Sequence, residues 1–529
     1  MNPLHQHRLT IRKTHLAEEQ QVLDDLMAAN PISQDDRERI VSRATRLVED
    51  IRASDAPGVM EAFLAEYGLS TDEGVALMCL AEALLRVPDA ETMDALIEDK
   101  IAPSSWGEHL GKSSSSLVNA STWALMLTGK ILNDDESEGF AGVLRGAIKR
   151  LGEPVIRTAV KQAMKELGSE FVLGRDIDEA IERGKVAKRQ GYTYSYDMLG
   201  EAALTSADAQ KFFEAYQVAI SELAVNCTSH DIRKNPGISI KLSALHPRYE
   251  VSQRERVMTE LVASTQALAR LAKQAGMGLN IDAEEADRLD LSLDIIEAVL
   301  RDPELAGWDG FGVVVQAYSK RCAGVIDWLN ALATELDRKI MVRLVKGAYW
   351  DSEIKLAQQE GTVDFPVYAQ KAATDAAYIS CASKLLGMTG RIYPQFATHN
   401  AHTVAAILEL ATDKQAFEFQ RLHGMGEQLH QTVLEQENTR CRIYAPVGAH
   451  RDLLAYLVRR LLENGANSSF VNQIVDTDIP AAEVAADPFT KVISSDCEAI
   501  GKVNSPRNSI AKPTELYAPS RRNSRGWDL

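Results

Sequence analysis

Polar and ionisable residues recur at the ends of short β-branched runs in the second half of the chain. They follow six of these runs and comprise Asp197, Lys241, Asp282 with Glu284 and Glu285, Gln316, Arg343 with Lys346, and Thr398-His399-Asn400. The set offers two kinds of cation, several carboxylates and an imidazole. It predicts a site for an anionic small substrate or for a cofactor that carries phosphate groups.

Two reaction classes without a redox cofactor could use these groups. A metal-dependent hydrolase would draw on Asp282, Glu284, His399 and His423. These residues show neither HxH nor HExxH spacing, so we expect no metal. A Schiff-base lyase or aldolase would use Lys241 or Lys346, because a desolvated lysine amine is a nucleophile. Both alternatives remain open at this point.

A flavin-dependent redox enzyme is the third class. It would place Gln316, Arg343 and Lys346 around the flavin ring system, with backbone amides at the pyrophosphate. A GxGxxG motif is not needed for this in a barrel.

Eight strand-like runs alternate with helical stretches from Tyr192 onward, over about 260 residues. The runs cover residues 192–198, 238–245, 279–285, 311–318, 339–347, 395–400, 417–424 and 442–448. Eight strands, each followed by a helix, are the pattern of a (β/α)8 TIM-like barrel, which builds its active site at the carboxyl ends of the strands. The polar strand ends named above therefore predict one shared site.

The first 190 residues are helical in pattern, with apolar residues at three- and four-residue spacing. Within them, GEHLGKSSSS resembles a phosphate-binding loop, but Gly107 and Gly111 are one residue too close and no strand-like run precedes them. We interpret this segment as a polar connection between helices.

Composition fits a globular enzyme of 529 residues, with 45% hydrophobic and 25% charged residues. The net charge of −17 argues against broad nucleic-acid binding, so no nucleic-acid partner is expected. The polar N-terminus has no apolar stretch typical of a secretory signal, and no run of 18 apolar residues occurs. We expect a cytoplasmic protein that can associate peripherally with the inner membrane.

A leucine-rich helix is predicted after the last strand, in LLAYLVRRLLENGANSSF. On it, Tyr456, Arg459, Arg460 and Glu463 form a polar stripe at helical spacing. The stripe could be a solvated, salt-bridged face. If it faces the barrel mouth instead, the two adjacent guanidiniums could bind a carboxylate or phosphate.

Eight sequence blocks together resemble the proline dehydrogenase domain of the bacterial bifunctional flavoenzyme proline utilization A. They are GISIKLSALHPRY, NIDAEEADRLD, QAYSKR, MVRLVKGAYWDSEIK, YPQFATHNAHT, FEFQRLHGMGE, RIYAPVG and LLAYLVRRLLENGANSSF. The likeness runs in order over about residues 190–475, and the helical part from about residue 35 resembles the arm and α-domain of that family. Eight blocks in order make a specific match.

This resemblance implies an FAD enzyme that oxidises L-proline to 1-pyrroline-5-carboxylate by hydride transfer to flavin N5 and passes electrons to a membrane quinone. The fold implied is α/β, a distorted (β/α)8 barrel with its last helix over the mouth, preceded by an all-helical arm and α-domain. The expected divisions are a helical arm (1–55), a helical domain (56–175), the barrel (176–475) and a linker (476–529). A 1-pyrroline-5-carboxylate dehydrogenase domain of the same polypeptide is the expected partner beyond this linker.

The resemblance also assigns roles residue by residue. Implied catalytic residues are Lys241, Asp282, Arg343, Tyr444, Arg459 and Arg460. Implied proline contacts are Lys241, Asp282, Tyr349, Leu422, Tyr444, Tyr456, Arg459 and Arg460. Implied FAD contacts are Gln316, Arg343, Val345, Lys346, Gly347, Trp350, Thr398, His399, Asn400, Glu463 and Phe470. A non-catalytic barrel that serves as a scaffold stays as an alternative, although a scaffold needs none of these charged groups.

Overall fold

A closed barrel of eight parallel strands forms the centre of the computed structural model, which describes residues 3–53, 172–448, 470–476, 478–492 and 510–516. The strands pair in chain order and β1 closes on β8. They are β1 (Thr193–Met198), β2 (Gly237–Ile240), β3 (Gly278–Ile281), β4 (Phe311–Gln316), β5 (Ile340–Val345), β6 (Ile392–Ala397), β7 (Glu418–Leu422) and β8 (Cys441–Val447). The predicted (β/α)8 fold is confirmed.

Seven of the eight strands end before the runs predicted from the sequence, and for β2 and β6 the structure shows why. β2 stops at Ile240, because the next residues turn into the short helix Leu242–Leu245. β6 runs from Ile392 to Ala397, because Asn400 already caps the following helix through its side-chain oxygen. These ends place Lys241 and the Thr398-His399-Asn400 segment in the loops at the carboxyl edge of the barrel.

Helices surround the barrel, and those that connect its strands bury their apolar faces against it. They are α1 (Pro3–Lys13), α2 (Glu19–Ala29), α3 (Gln34–Arg52), α4 (Ile177–Arg189), α5 (Ser206–Ala224), α6 (Leu242–Leu245), α7 (Arg254–Ala275), α8 (Leu289–Leu300), α9 (Cys322–Glu335), α10 (Trp350–Glu360), α11 (Lys371–Leu386), α12 (Ala401–Leu410), α13 (Glu427–Glu437), α14 (Phe470–Val475) and α15 (Ala481–Val484). Trp328, Tyr378 and Phe419 are buried in the core between the sheet and these helices. The rigid layer fixes the strand ends that carry the site.

Polar residues fill part of the barrel interior. Ser195, Ser239, Asn280, Arg343 and Gln395 are all buried and lie on the strands. Because buried polar groups are costly unless they are hydrogen-bonded, such an interior must be a connected network.

The N-terminal helices α1 to α3 pack along the outside of the barrel helices. α1 lies on α9 and buries Ile11, while its Arg8 donates to the carboxylates of Asp290 and Asp294, each at 2.9 Å. α3 lies on α12. The division into an arm and a separate helical domain stays a prediction, since residues 54–171 lie outside the described residues.

Part of the predicted linker is packed against the arm. Val484 and Phe489 are buried, and the Arg37 guanidinium donates to the Asp487 carboxylate at 2.8 Å. Arg52 donates to the backbone carbonyls of residues 473, 474, 476 and 479 at 2.7 to 3.0 Å. Within the described residues, no helix has the length and apolar character that crossing a bilayer requires.

Candidate active site

One cavity of about 250 Å3 opens at the carboxyl end of the strands. Its lining comes from β1, from β4 to β8, from the loops that follow β2, β3, β5 and β6, and from the first residues of α11 and α14. The lining residues are Asp197, Lys241, Asp282, Ala283, Val314, Gln316, Arg343, Val345, Lys346, Gly347, Ala348, Tyr349, Lys371, Ala397, Thr398, His399, Asn400, Gln420, Arg421, Leu422, Tyr444 and Phe470.

Lys241 is the centre of a buried charge cluster in this cavity. Its Nζ lies 2.8 Å from Asp197 Oδ1 and 3.3 Å from Asp282 Oδ2. The Tyr444 hydroxyl donates to Asp282 Oδ2 at 2.8 Å and lies 3.4 Å from the Lys241 ammonium. β1, β2 and β8 are neighbours in the barrel, and together with the loop after β3 they bring these four side chains together.

Three groups of this cluster, Lys241, Asp197 and Tyr444, have raised pKa values. Burial alone would lower the pKa of Lys241, but Asp197, Tyr444 and Asp282 outweigh burial and raise it well above its usual value. Burial also raises the pKa of Asp197 and of Tyr444. Lys241 is therefore an ammonium and Tyr444 a neutral phenol, ready to donate hydrogen bonds at neutral pH.

Arg343 projects from β5 into the same cluster. Its Nη1 donates to Asp282 Oδ1 at 3.0 Å, and its Nη2 donates to the hydroxyls of Ser195 and Ser239 at 3.1 and 3.0 Å. Its guanidinium carbon lies 5.1 Å from the centre of the Tyr444 ring. These contacts fix the guanidinium plane, so a positive charge is held in one orientation beside the cavity.

A second group of charges lies where the cavity approaches α11. Lys346 pairs with Asp375, and Lys371 Nζ lies 3.2 Å from the other Asp375 oxygen. Burial would raise the pKa of Asp375, but the two lysines lower it to about 2. Two ammonium groups thus share one carboxylate, which leaves net positive charge for an anionic ligand.

His399 and Asn400 are held by the backbone around them. The Leu422 amide donates to His399 Nε2 at 3.0 Å, so the hydrogen of a neutral His399 ring is on Nδ1. Asn400 Oδ1 accepts from the Thr403 amide at 3.0 Å as the cap of α12. The segment therefore presents polar groups in a defined orientation.

Most of the predicted site residues meet in this cavity. Those that line it are Lys241, Asp282, Gln316, Arg343, Val345, Lys346, Gly347, Tyr349, Thr398, His399, Asn400, Leu422, Tyr444 and Phe470. Trp350 is not among them: its indole N–H donates to the Tyr368 carbonyl at 2.9 Å, and its ring packs against the cluster around Phe365. Tyr456, Arg459, Arg460 and Glu463 lie outside the described residues, so the predicted carboxylate clamp stays a prediction.

Sequence reasoning missed several partners of the predicted residues. Asp197 is noted as a strand-end group but is given no role, although it makes the shortest contact of Lys241. Ser195 and Ser239 alternate with outward residues on their strands, a signal too common to single them out. Asp375 stands four residues after Lys371 on α11, and this spacing indicates only a helix pair.

A smaller cavity of about 40 Å3 lies beside the first and shares Asp282 and Gln316 with it. Glu284 lines this cavity and accepts from the Ser243 amide at 3.0 Å. Its carboxylate also makes a long contact with Arg288, at 3.5 Å. Burial raises the pKa of Glu284 to about 7. Across the described residues, no group of three or more His, Cys, Asp or Glu side chains could hold a metal ion.

A (β/α)8 barrel with an oriented arginine, a buried lysine and paired carboxylates around a cavity at the strand ends defines a barrel enzyme with an anion-binding active site. Comparison with known protein families identifies the family to which this chain belongs. The family model described as "Proline dehydrogenase" matches residues 180–473, more than half of the chain. The chain belongs to the proline dehydrogenase family.

Known relatives are similar to this protein in sequence and structure along nearly the whole chain. It is 50% identical over 516 residues to "Bifunctional protein PutA" of Escherichia coli K12, covering 96% of this chain and 39% of the relative. A crystal structure of a variant of Bradyrhizobium japonicum proline utilization A matches with a TM-score of 0.73 at 50% identity, over 97% of this chain and 51% of that one. A structure of proline utilization A "with proline bound in remote sites" matches equally well, at 51% identity, a TM-score of 0.73 and the same coverage. The chain spans about half or less of the length of these relatives.

A second family model corrects one expectation. The model described as "DNA-binding domain of Proline dehydrogenase" matches residues 59–171. The prediction that no nucleic acid is a partner was drawn from net charge over the whole chain, and this match overturns it. Whole-chain charge is a poor guide to the binding properties of one segment. The matched residues lie outside the described residues.

Proposed function

We propose that this chain catalyses the FAD-dependent oxidation of L-proline to 1-pyrroline-5-carboxylate, as the first step of proline breakdown to glutamate. The reaction moves a hydride from the ring C5 carbon to flavin N5 and removes the amine proton, leaving a C=N bond. The carrying observation is the connected set of Lys241, Asp282, Tyr444 and Arg343 on one cavity. The set combines fixed positive charge with an aromatic wall, as a cyclic amino acid requires.

The cavity has positive charges and, among its described residues, a free donor and a free acceptor that suit a flavin dinucleotide. Lys346 and Lys371 share one carboxylate, which suits a pyrophosphate. Within the described residues, Arg343 Nε and Gln420 Oε1 are buried and have no hydrogen-bond partner, although both residues line the cavity. We infer that Gln316, Arg343, Val345, Lys346, Gly347 and the 398–400 segment hold FAD, together with Phe470 and, as implied by resemblance, Trp350 and Glu463. When bound, FAD supplies the hydride acceptor.

The chain's own residues would act by charge and orientation. Lys241 offers a fixed ammonium to the proline carboxylate, alongside the proposed clamp of Arg459 and Arg460. Arg343 stabilises negative charge that develops on the acceptor side, because its guanidinium is already oriented and needs no rearrangement during the reaction. Tyr349, Leu422, Tyr444 and Tyr456 are proposed to wall the proline ring.

The Schiff-base alternative fits the structure less well. A lysine nucleophile must lose its proton, whereas Asp197 and Asp282 hold the pKa of Lys241 well above its usual value. Lys346 is paired with Asp375. Lys241 is therefore not poised as a neutral amine, and Lys346 is engaged in an ion pair.

We further propose a membrane quinone as electron acceptor, a cytoplasmic location with peripheral membrane contact, and transfer of the product to a dehydrogenase domain of the same polypeptide. Curated relatives named "Bifunctional protein PutA", of which this chain spans 39%, support a second activity in the full-length protein. Addition of a soluble ubiquinone analogue to the proline-reduced enzyme tests the acceptor by reoxidation of its spectrum.

The visible spectrum of the purified chain, recorded before and after anaerobic addition of L-proline, tests the proposal. A flavin spectrum that bleaches supports cofactor, substrate and direction of hydride transfer at once. A flavin that stays oxidised rejects proline as the substrate, and a chain that binds no added FAD rejects the cofactor. Since the substrate amine must be neutral when the hydride leaves, the rate should also rise with pH across the alkaline range.

A further inference from the structure

Arg421 is a buried cation that lies beside the cavity, and the proposed reaction gives it no role. It lies on β7, and its side chain is only 5% exposed. Its guanidinium carbon lies 5.1 Å from the centre of the Tyr192 ring. A buried arginine is costly unless its donors are occupied, so its contacts indicate what it stabilises.

Those contacts converge on the loop that follows β7. Arg421 Nη1 lies 3.2 Å from the Leu422 carbonyl oxygen and 3.4 Å from the Met425 carbonyl oxygen. It also lies 3.3 Å from Glu427 Oε1, in the first turn of α13. One guanidinium thus joins both ends of the segment 422–426 to the helix that follows.

The segment itself makes a tight reversal. Gly424 and Gly426 have φ values of 76° and 60°, in the left-handed region that favours glycine. A Cβ atom on Gly426 would lie 2.9 Å from the His399 ring, so the segment approaches His399 closely. Met425 is fully buried and anchors its tip.

Leu422 connects this segment to both halves of the cavity. Its side chain lines the cavity, at the end where a wall for the proline ring is proposed. Its amide donates to His399 Nε2, and the next amide, of His423, donates to the Tyr444 carbonyl at 2.9 Å. A shift of the segment would therefore move a wall residue relative to the carboxylate-binding cations, which belong to other strands.

We propose that Arg421 is a positioning residue for substrate specificity: it fixes the segment 422–426 so that Leu422 closes the ring end of the proline site. The inference rests on the proposed function. It assigns Arg421 no contact with the reacting atoms. Its effect is on the fit of a five-membered ring and not on the capture of a carboxylate.

The test uses the full chain with bound FAD and two carboxylates that we expect to compete with proline for its site. Cyclopentanecarboxylate carries ring and carboxylate, whereas acetate carries the carboxylate alone. For Arg421→Met we expect the inhibition constant of cyclopentanecarboxylate and the KM for proline to rise about tenfold, with acetate inhibition and kcat changed less than about threefold. Leu422→Ala should give the same selective pattern.

A double-mutant cycle separates positioning from general damage. If Arg421 acts through Leu422, the variant with both changes binds cyclopentanecarboxylate no more weakly than Leu422→Ala alone. Additive losses, or equal weakening of both inhibitors, overturn the proposal, as does a Leu422→Ala variant without ring selectivity. Glu427→Gln is the matched control, because this half-exposed side chain keeps its oxygen acceptor and should change neither constant more than about twofold.

Arg421→Lys covers the case in which the methionine variant does not fold. It keeps the buried charge but cannot reach both carbonyls as a planar group, so a smaller loss with the same ring selectivity is expected. A lysine variant with parent-like inhibition constants would overturn the proposal. Failure of the proposed function is seen separately, because the parent enzyme itself would then not be reduced by proline.

Discussion

Two buried arginines inside the same barrel show opposite patterns of contact. Arg442 lies near the amino end of β8 and pairs with Glu418 at 2.8 and 3.3 Å. Its remaining donors reach the backbone carbonyls of residues 194, 235 and 233 at 2.7 to 3.0 Å. Arg343, near the carboxyl end of β5, bonds one carboxylate and two serines and leaves its buried Nε without a partner among the described residues.

The difference separates a structural charge from a functional one. At the amino end, Gln395 and Gln420 also donate to Glu418 Oε1, at 3.0 and 2.8 Å, so the carboxylate is fully used within the protein. At the carboxyl end, oriented donors face a cavity and are only partly used. Buried polar groups that satisfy one another stabilise one fold, whereas partly satisfied groups around a cavity are available to a ligand.

Replacing Arg343 should impair catalysis more than stability. We expect Arg343→Met to lower kcat/KM for proline by about a thousandfold, because an oriented charge beside the reacting atoms is lost. Arg343→Lys keeps the charge but not the fork to both serines, and should fall between parent and methionine variant. Steady-state kinetics with measured FAD content check this; full activity in the FAD-loaded methionine variant would contradict the assigned role.

Replacing Arg442 should lower the stability of the fold more than it affects catalysis. Removing it leaves Glu418 buried without its cation, which is expected to lower the free energy of unfolding by about 3 kcal/mol. The double variant Arg442→Met with Glu418→Met removes the unpaired charge and should recover part of this loss. Denaturant unfolding measures both, and proline turnover by the folded fraction should stay near the parent rate. A turnover loss as large as that of Arg343→Met would remove the distinction.

The sequence predicts the functional end of the barrel better than the structural end. Parallel strands bring their carboxyl ends to one edge, so the position of Lys241 and Asp282 after predicted strands is enough to assign both to one site. Glu418 and Arg442 lie at strand beginnings, where sequence offers no rule that pairs residues from different strands. The serines that orient Arg343 were missed for the same reason, since their role depends on barrel register.

Glu284 is a buried carboxyl that, unlike Asp282 and Glu418, has no close cation among the described residues. Its contact with the Arg288 guanidinium is long, at 3.5 Å. Its pKa of about 7 in the folded chain lies above its ordinary value of 4.5. Between these two pH values the unfolded state ionises first, so this group makes the fold less stable as pH rises and contributes nothing below about pH 4.5. We expect the stability advantage of Glu284→Gln over the parent to grow by about 2 kcal/mol from pH 5 to pH 8.

Unfolding curves across that pH range test the Glu284 prediction. Glu255→Gln, an exposed substitution on α7, is the control and should run parallel to the parent. A Glu284→Gln curve that is also parallel to the parent would show that the carboxyl ionises as freely in the fold as in the unfolded chain.

The smallest expected effect compares single hydroxyls at the two ends. Tyr444→Phe removes the hydrogen bond to Asp282 at 2.8 Å and should lower kcat/KM about fivefold, equivalent to about 1 kcal/mol. Tyr393→Phe removes a long contact to Glu418 Oε2, at 3.4 Å, and should leave the kinetics unchanged. Because Asp282 also bonds Arg343, loss of the Tyr444 hydroxyl loosens the group that orients the guanidinium. Equal kinetic effects of the two substitutions would mean that the polar interior acts as one unit, and that the division between a structural and a functional end is wrong.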